Sequence, residues 1–250
     1  MIVVKDLVTG YGKEDVIKDV SCTILKNKLT VIAGPNGCGK STLLKTISGL
    51  IKKNGGNILV DGVDISALSL LDRAKKIAYL SQNRTVPDIA VKNLVLHGRF
   101  AYLSYPRRYR AEDRRAVDEA LKKLGIEDLK DKMVGELSGG ERQKVYLAMA
   151  LAQGSEYLLL DEPTTFLDIS HQFQLLDMAK ELCSENKSIV MVLHNLEHAL
   201  SIADSFILMD EGKLLFQGSV DEVYNSKLID KVFNIEVIKE DDHWWCKKKS

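Results

Sequence analysis

Long apolar runs, an excess of one charge, patterned cysteines and low-complexity segments are all missing from this sequence, and each absence removes a class of function. No apolar stretch approaches the roughly 18 residues a helix needs to cross a bilayer, so a role at a membrane calls for a separate partner that spans it. Lys+Arg and Asp+Glu both number 35, giving zero formal net charge, whereas a nucleic-acid binder ordinarily carries a basic excess. Cys22, Cys38, Cys183 and Cys246 have neither metal-ligand nor disulfide-framework spacing, which predicts reduced thiols and a cytosolic setting. The start, Met1-Ile2-Val3-Val4-Lys5-Asp6, has no charged leader ahead of a long apolar region, so no signal peptide is expected. What is present is 250 residues at 45 % hydrophobic composition, enough for one large domain or one domain with a lobe.

One stretch organises the rest: Gly34-Pro35-Asn36-Gly37-Cys38-Gly39-Lys40-Ser41-Thr42. The apolar run Leu29-Thr30-Val31-Ile32-Ala33 precedes it, and Leu43, Leu44, Ile47 and Leu50 follow at helical spacing. A glycine-rich turn between a buried strand and a helix is the setting of a phosphate-binding loop. Glycines let backbone N–H groups turn inward around phosphate oxygens, and the following helix offers its free N–H groups and positive dipole end. Lys40 would reach the β- and γ-phosphates and Ser41 would hold Mg²⁺. The plain structural alternative is a strand-to-helix turn that happens to be glycine-rich.

The chain reads as α/β. Strands are expected at 2–8, 16–25, 29–33, 58–60, 77–80, 157–161, 188–193, 205–210 and 214–217. Helices are expected at 89–97, 111–124, 139–152, 169–183 and 195–203. Residues 9–13 read as a loop carrying the exposed Tyr11, and 52–57 as a turn cluster. Composition shifts after Gln82, so a helical lobe is expected over 84–152, inserted into the α/β domain. Arg107, Arg108, Arg110, Arg114 and Arg115 in that lobe are either a solvated helix face or a docking surface. Trp244-Trp245-Cys246-Lys247-Lys248-Lys249-Ser250 reads as a frayed or lightly packed tail.

Two further patterns carry chemistry. Tyr157-Leu158-Leu159-Leu160-Asp161 is a continuous apolar strand suited to the middle of a parallel sheet. Asp161 at its carboxyl end is placed to bind Mg²⁺, and Glu162, expected on the opposite side of the strand, is a candidate general base. Leu137-Ser138-Gly139-Gly140-Glu141 opens a helix with a Ser138/Glu141 capping box. The box does not account for glycines at 139 and 140, each costing about 1 kcal/mol inside a helix, whereas close backbone approach to an anion would.

Together these stretches resemble the ATP-binding subunit of an ABC transporter over nearly the whole chain. The resemblance implies a P-loop NTPase (RecA-like) α/β core with an N-terminal antiparallel β subdomain and an inserted α-helical subdomain. The core then takes 1–83 and 153–250 and the helical part 84–152. Residues 34–42 resemble the Walker A loop and 157–162 the Walker B strand. Residues 137–143 resemble the signature, whose Ser138, Gly139 and Gly140 bind, in the family, the γ-phosphate held by the other protomer. Gln82 matches the Q-loop, which senses Mg²⁺ and contacts the permease. Thr165-Phe166-Leu167-Asp168 matches the D-loop, which crosses the dimer interface. His194 matches the switch histidine at the γ-phosphate, and Tyr11 the adenine-stacking aromatic. The implied cofactors are ATP and Mg²⁺. The implied partners are a second copy of the chain, integral membrane permease subunits and, indirectly, a substrate-binding protein, with no nucleic acid. The implied location is peripheral, at the cytoplasmic face of a prokaryotic inner membrane.

A finer resemblance points to the iron-siderophore, haem and vitamin B12 importers. It rests on Val95-Leu96-His97-Gly98-Arg99-Phe100, the Arg/Tyr-rich stretch to Asp113, Ile169-Ser170-His171-Gln172 after the D-loop, and His194-Asn195-Leu196. Cys38, where many relatives have Ser, and Asn195, where Asp is common, are departures. The other classes considered are a soluble ABC ATPase of translation or DNA repair and a non-hydrolysing regulatory module. The first is typified by tandem domains, a coiled-coil insertion or a cysteine-rich cluster, and the second lacks groups like Glu162 and His194. His194-Asn195-Leu196-Glu197-His198 also fits H-x-x-E-H, a zinc-protease pattern that needs both histidines on one helix face. His194 is expected in a strand-to-helix turn instead, and His198 on a helix surface.

Overall fold

Alternating apolar residues at the start of the chain fold back as a hairpin of β1 (Ile2–Tyr11) and β2 (Glu14–Ile24), with Ile2, Val4 and Leu7 buried on one face. The chain is described by a computed structural model covering residues 1–12, 14–82, 85–165, 167–241 and 243–249. After β3 (Leu29–Ala33) and α1 (Lys40–Ile47), β4 (Gly55–Val60) pairs antiparallel with β1, and the short β5 (Val63–Asp64) with β4. Helix α2 (Leu70–Lys76) leads into β6 (Ile77–Leu80). Then come α3 (Val91–His97), α4 (Ala111–Lys123) and α5 (Gly139–Ala152), joined by short 3₁₀ turns. The remainder is β7 (Tyr157–Asp161), α6 (Ile169–Ser184), β8 (Ser188–Val192), α7 (Leu196–Ile202), β9 (Ser205–Asp210), β10 (Lys213–Gly218), α8 (Val220–Ser226), α9 (Leu228–Phe233), β11 (Ile235–Glu240) and β12 (His243–Lys248).

The main sheet has the strand order β10-β9-β3-β8-β7-β6, parallel throughout except for β10. Strand side chains alternate between faces, and here each face is covered by a different layer. Ile32, Tyr157, Leu159, Val190 and Val192 pack with Leu43, Leu44 and Ile47 of α1 and with the β1–β2–β4 sheet. Val31, Leu158, Leu160, Ile189 and Met191 pack with helices α3 to α9. Burial on both faces is why these strands read as unbroken apolar runs.

The structure corrects several boundaries. Tyr11 ends β1 rather than sitting in a loop, because Gly10 and Tyr11 continue the ladder opposite Asp15 and Glu14. Strand β4 begins at Gly55, inside the expected turn, because Gly55 pairs with Val8. Helices α2, α8 and α9 were not foreseen. The C-terminal segment is no loose tail: β11 and β12 form a hairpin, Trp244 is buried edge-on against Tyr224, and Trp245 faces out. The Cys246 N–H donates to Glu197 Oε1 (3.0 Å), fastening the hairpin to α7. Arg107, Arg108, Arg110, Arg114 and Arg115 are all exposed, with Arg107 over the Phe100 ring, so the face is open to solvent and the docking reading stays a proposal.

One buried ion pair ties the helical part together. Asp113 is fully enclosed at the start of α4, with Oδ1 3.0 Å from Arg99 Nε and Oδ2 accepting from the Arg110 N–H (2.8 Å). The Arg99 guanidinium also donates to the carbonyl of Ala152 at the end of α5 (3.0 Å). Removing one partner of such a pair strands a charge out of water. Arg99→Ala should therefore destabilise the chain by about 3–5 kcal/mol, read from the denaturant midpoint. A loss under about 1 kcal/mol, the size of a surface pair, would show that solvent already screens Asp113.

Candidate functional site

The turn from β3 into α1 is shaped by glycine where a side chain has no room. Gly37 and Gly39 have φ of 79° and 104°, in the left-handed region that glycine enters without strain. A Cβ at Gly39 would lie 2.7 Å from Ile17 Cδ1, and one at Gly34 would lie 2.2 Å from the Met209 carbonyl oxygen. Lys40 is 5 % exposed, and its ammonium donates to the carbonyls of Gly34 (2.8 Å) and Pro35 (2.9 Å). Those acceptors are neutral, so a full positive charge stays at the loop, suited to an anion. Burial pushes the Cys38 thiol pKa up, against the pull of Lys40, so Cys38 is a neutral packing residue. Tyr11, Asn36, Gly37, Lys40, Ser41, Thr42 and Glu162 border one cleft over this loop.

Asp161 closes β7 beside it. Its Oδ1 accepts from Ser41 Oγ (2.8 Å) and its Oδ2 from Tyr79 OH (2.9 Å), with the residue 2 % exposed. Glu162 does not leave the strand on the opposite side as alternation predicts. The strand ends at Asp161, and Glu162 takes a φ of 50°, which turns its side chain to the same cleft. A left-handed non-glycine residue carries strain of order 1–3 kcal/mol, a feature that clusters at functional sites. The Glu162 carboxylate accepts hydrogen bonds from the Gln82 side-chain amide and from Thr165 Oγ1 (3.4 Å). His194 Nε2 lies 2.5 Å from Glu162 Oε1. Three sequence-predicted residues, Gln82, Glu162 and His194, are thus joined directly.

His194 follows β8, and Asn195 caps α7 by accepting from the His198 N–H (2.9 Å). With His194 outside the helix, the H-x-x-E-H geometry is not met. His198 is half-buried rather than on the surface: its ring packs edge-on against Phe173, and burial lowers its pKa.

The glycine-rich helix start lies elsewhere. Ser138 caps α5 as expected, accepting from the Glu141 N–H (3.2 Å) while Glu141 Oε2 accepts from the Ser138 N–H (2.8 Å). Gly140 borders a second groove, between α5 and α6, and not the phosphate-loop cleft. A Cβ at Gly140 would come within 3.2 Å of the His171 ring, so tight packing inside the chain is one reason for this glycine. Asp168 caps α6, holding the His171 N–H with Oδ1 and the ring Nδ1 with Oδ2, both at 2.8 Å. Those bonds hold its carboxyl below the usual range. The described part of the D-loop stretch is Thr165, Leu167 and Asp168; Phe166 lies outside the described residues. Sequence reasoning missed Tyr79 and gave His171 no role of its own. Tyr79 reads as an ordinary half-buried strand tyrosine, and only the fold sets it against Asp161.

Known proteins resemble this chain in sequence and in fold. The ABC transporter family model matches residues 17–165. The chain is 41 % identical over 240 residues to the ferric enterobactin transport ATP-binding protein FepC of Escherichia coli (strain K12), covering 95 % of this chain and 89 % of that protein. It is 40 % identical over 229 residues to the iron(3+)-hydroxamate import ATP-binding protein FhuC of Bacillus subtilis (strain 168), covering 91 % and 85 %. A crystal structure of a nucleotide-free ATP-binding cassette from an ABC transporter shares the fold, with a TM-score of 0.84 at 24 % identity and coverage of 93 % and 97 %. The structure of cbiO1 from Clostridium perfringens, part of the ABC transporter complex cbiONQ, matches with a TM-score of 0.79 at 28 % identity, covering 93 % and 94 %. On these matches the chain belongs to the ABC transporter family, as one of its ATP-binding, ATP-hydrolysing subunits.

Proposed function

We propose that this ATPase powers import of a ferric siderophore or a related metal chelate, such as haem or cobalamin. It would act as a homodimer on a separate permease, at the cytoplasmic face of a prokaryotic inner membrane, with a substrate-binding protein delivering the cargo. The observation that carries the ATPase reading is the cleft bordered by Lys40, Ser41 and Glu162, with Asp161 bonded to Ser41 and with Gln82 and His194 bonded to Glu162 from separate loops. The cargo reading is supported by the ferric enterobactin and iron-hydroxamate relatives, at 41 % and 40 % identity. No helix among the described residues is long and apolar enough to cross a membrane, which supports a separate permease.

The site's own residues divide the work. Lys40 and the N–H groups of residues 34–42 hold the ATP phosphates, and Tyr11, half exposed at the end of β1, offers a ring face to the adenine. The Ser41 hydroxyl and Asp161 carboxylate are hard oxygen donors already in contact, a set that fits Mg²⁺, with Gln82 completing it. When bound, Mg²⁺ supplies positive charge to the phosphate oxygens. Glu162 takes the proton of the attacking water, and His194 steadies the γ-phosphate side. In the chain as it stands, Gln82, Thr165 and His194 take most of the acceptor capacity of the Glu162 carboxylate, so the base is freed as those bonds rearrange.

That rearrangement fits a second chain closing on the first. The head of α5, with Ser138, Gly139 and Gly140, presents free N–H groups and a positive dipole end, away from its own phosphate loop. In a head-to-tail pair it meets the partner's nucleotide, with Asp168 at the interface. Loss of the γ-phosphate removes the bridge and opens the pair. A helical subdomain over 84–152 passes the motion to the permease.

Three outcomes test this reading. Lys40→Ala should weaken binding of a fluorescent ATP analogue by about ten- to a hundredfold, the worth of charged hydrogen bonds; unchanged affinity would count against the loop assignment. Glu162→Gln should still bind ATP and form an ATP-dependent dimer on size exclusion, with turnover down by about 10²–10⁴-fold. Near-normal turnover would remove Glu162 as the base. The chain captured from solubilised native membranes should bring an integral permease with it, and the reconstituted complex should take up a ferric siderophore when given ATP. Recovery of no membrane protein would refute the transport role.

A further inference from the structure

The chain between Glu162 and α6 is tied to α5 at two points, directly at Pro163 and through His171 at Asp168. At one end, the Gln143 side-chain amide donates to the Pro163 carbonyl (2.7 Å), one residue past Glu162. At the other, Asp168 spends both carboxylate oxygens on His171, one on its backbone N–H and one on ring Nδ1. A carboxylate only accepts, so Nδ1 carries the proton. The same imidazole lies against Gly140, where even an added methyl group would sit 3.2–3.4 Å from Cδ2, Cγ and Nδ1. Farther along, α5 and α6 part around a groove lined by Leu147, Leu175 and Met178, which leaves the contact at Gly140 close to the helix heads.

We propose that His171 is a positioning residue that locks Asp168 to the head of α5, so that the two segments meeting the partner's nucleotide move as one piece. This rests on the head-to-tail dimer reading. The Asp168 bond fixes the ring, and the ring fixes how near α5 can come. A shift of the D-loop is therefore felt at Gly140, and a shift of α5 at Asp168. Without the ring bond, the tie between Asp168 and the head of α5 is lost while the Gln143–Pro163 bond remains, and the partner's site receives its two trans elements out of register. The effect falls on the chemical step in the closed pair and leaves each chain's own phosphate loop untouched.

The test compares His171→Leu, which keeps bulk but has no donor, with His171→Asn, whose amide nitrogen can replace Nδ1–H. His171→Leu should lower kcat at least about tenfold while KM for ATP, analogue affinity and Tm stay close to the parent, and His171→Asn should recover to within about threefold of it. A kcat for His171→Leu within about twofold of the parent overturns the proposal, as does His171→Asn as slow as His171→Leu. A joint loss of kcat and nucleotide affinity also overturns it, since that marks general structural damage. If His171→Leu does not fold, His171→Gln, whose amide lies one bond too far, is read the same way. Size exclusion of Glu162→Gln with ATP separates the two levels: no dimer there overturns the head-to-tail reading and this proposal together. A dimer combined with unaffected turnover in His171→Leu overturns the role of His171 alone.

Discussion

Burial of both faces of the parallel sheet is the constraint on which the site depends. With α1 and the β1–β2–β4 sheet on one face and helices α3 to α9 on the other, no catalytic side chain can emerge from the middle of a strand. Polar groups surface only where strands end, and parallel pairing of β3, β8, β7 and β6 puts their carboxyl ends along one edge. Lys40 follows β3, Gln82 follows β6, Asp161 and Glu162 end β7, and His194 follows β8. Residues as far apart as Ser41 and Asp161, 120 positions, meet because the sheet allows them nowhere else.

Charge inside the cleft is balanced by position. The Lys40 ammonium rests on two neutral carbonyls, and the buried Asp161 carboxylate rests on two neutral hydroxyls, those of Ser41 and Tyr79. Among the described residues neither charge has an ion-pair partner, which leaves a cation on one side of the cleft and an anion on the other. Glu162 is treated differently. Its carboxylate is held by three side chains from three loops, in a strained backbone conformation. A carboxylate held in that way has little acceptor capacity to spare until those neighbours are drawn off.

The helix α5 makes contacts at its head and along its flank. Its head is a capped helix start, its Gln143 reaches the Pro163 carbonyl just after Glu162, and its Gly140 lies against the His171 ring of α6. The head of α5 and the segment after Glu162 are thus linked within the chain by a few close contacts.

The sequence alone determined the local motifs, because each is written in consecutive residues. A phosphate loop needs glycine where φ is positive, a strand before it and a helix after it, and all three are legible between Leu29 and Leu50. The same holds for the buried strand ending in Asp161 and the capping box at Ser138 and Glu141. Only the tertiary structure decided how these pieces face one another. The left-handed turn at Glu162 breaks the alternation that a strand predicts, and nothing in neighbouring residues announces it. Tyr79 became a partner of Asp161 through β6–β7 pairing, and Gly140 was shaped in part by His171 from a different helix. The end of the chain became a hairpin because Trp244 found Tyr224 and Cys246 found Glu197. Each of these rests on contacts between residues far apart in sequence, and a pattern of spacing along the chain carries no record of them.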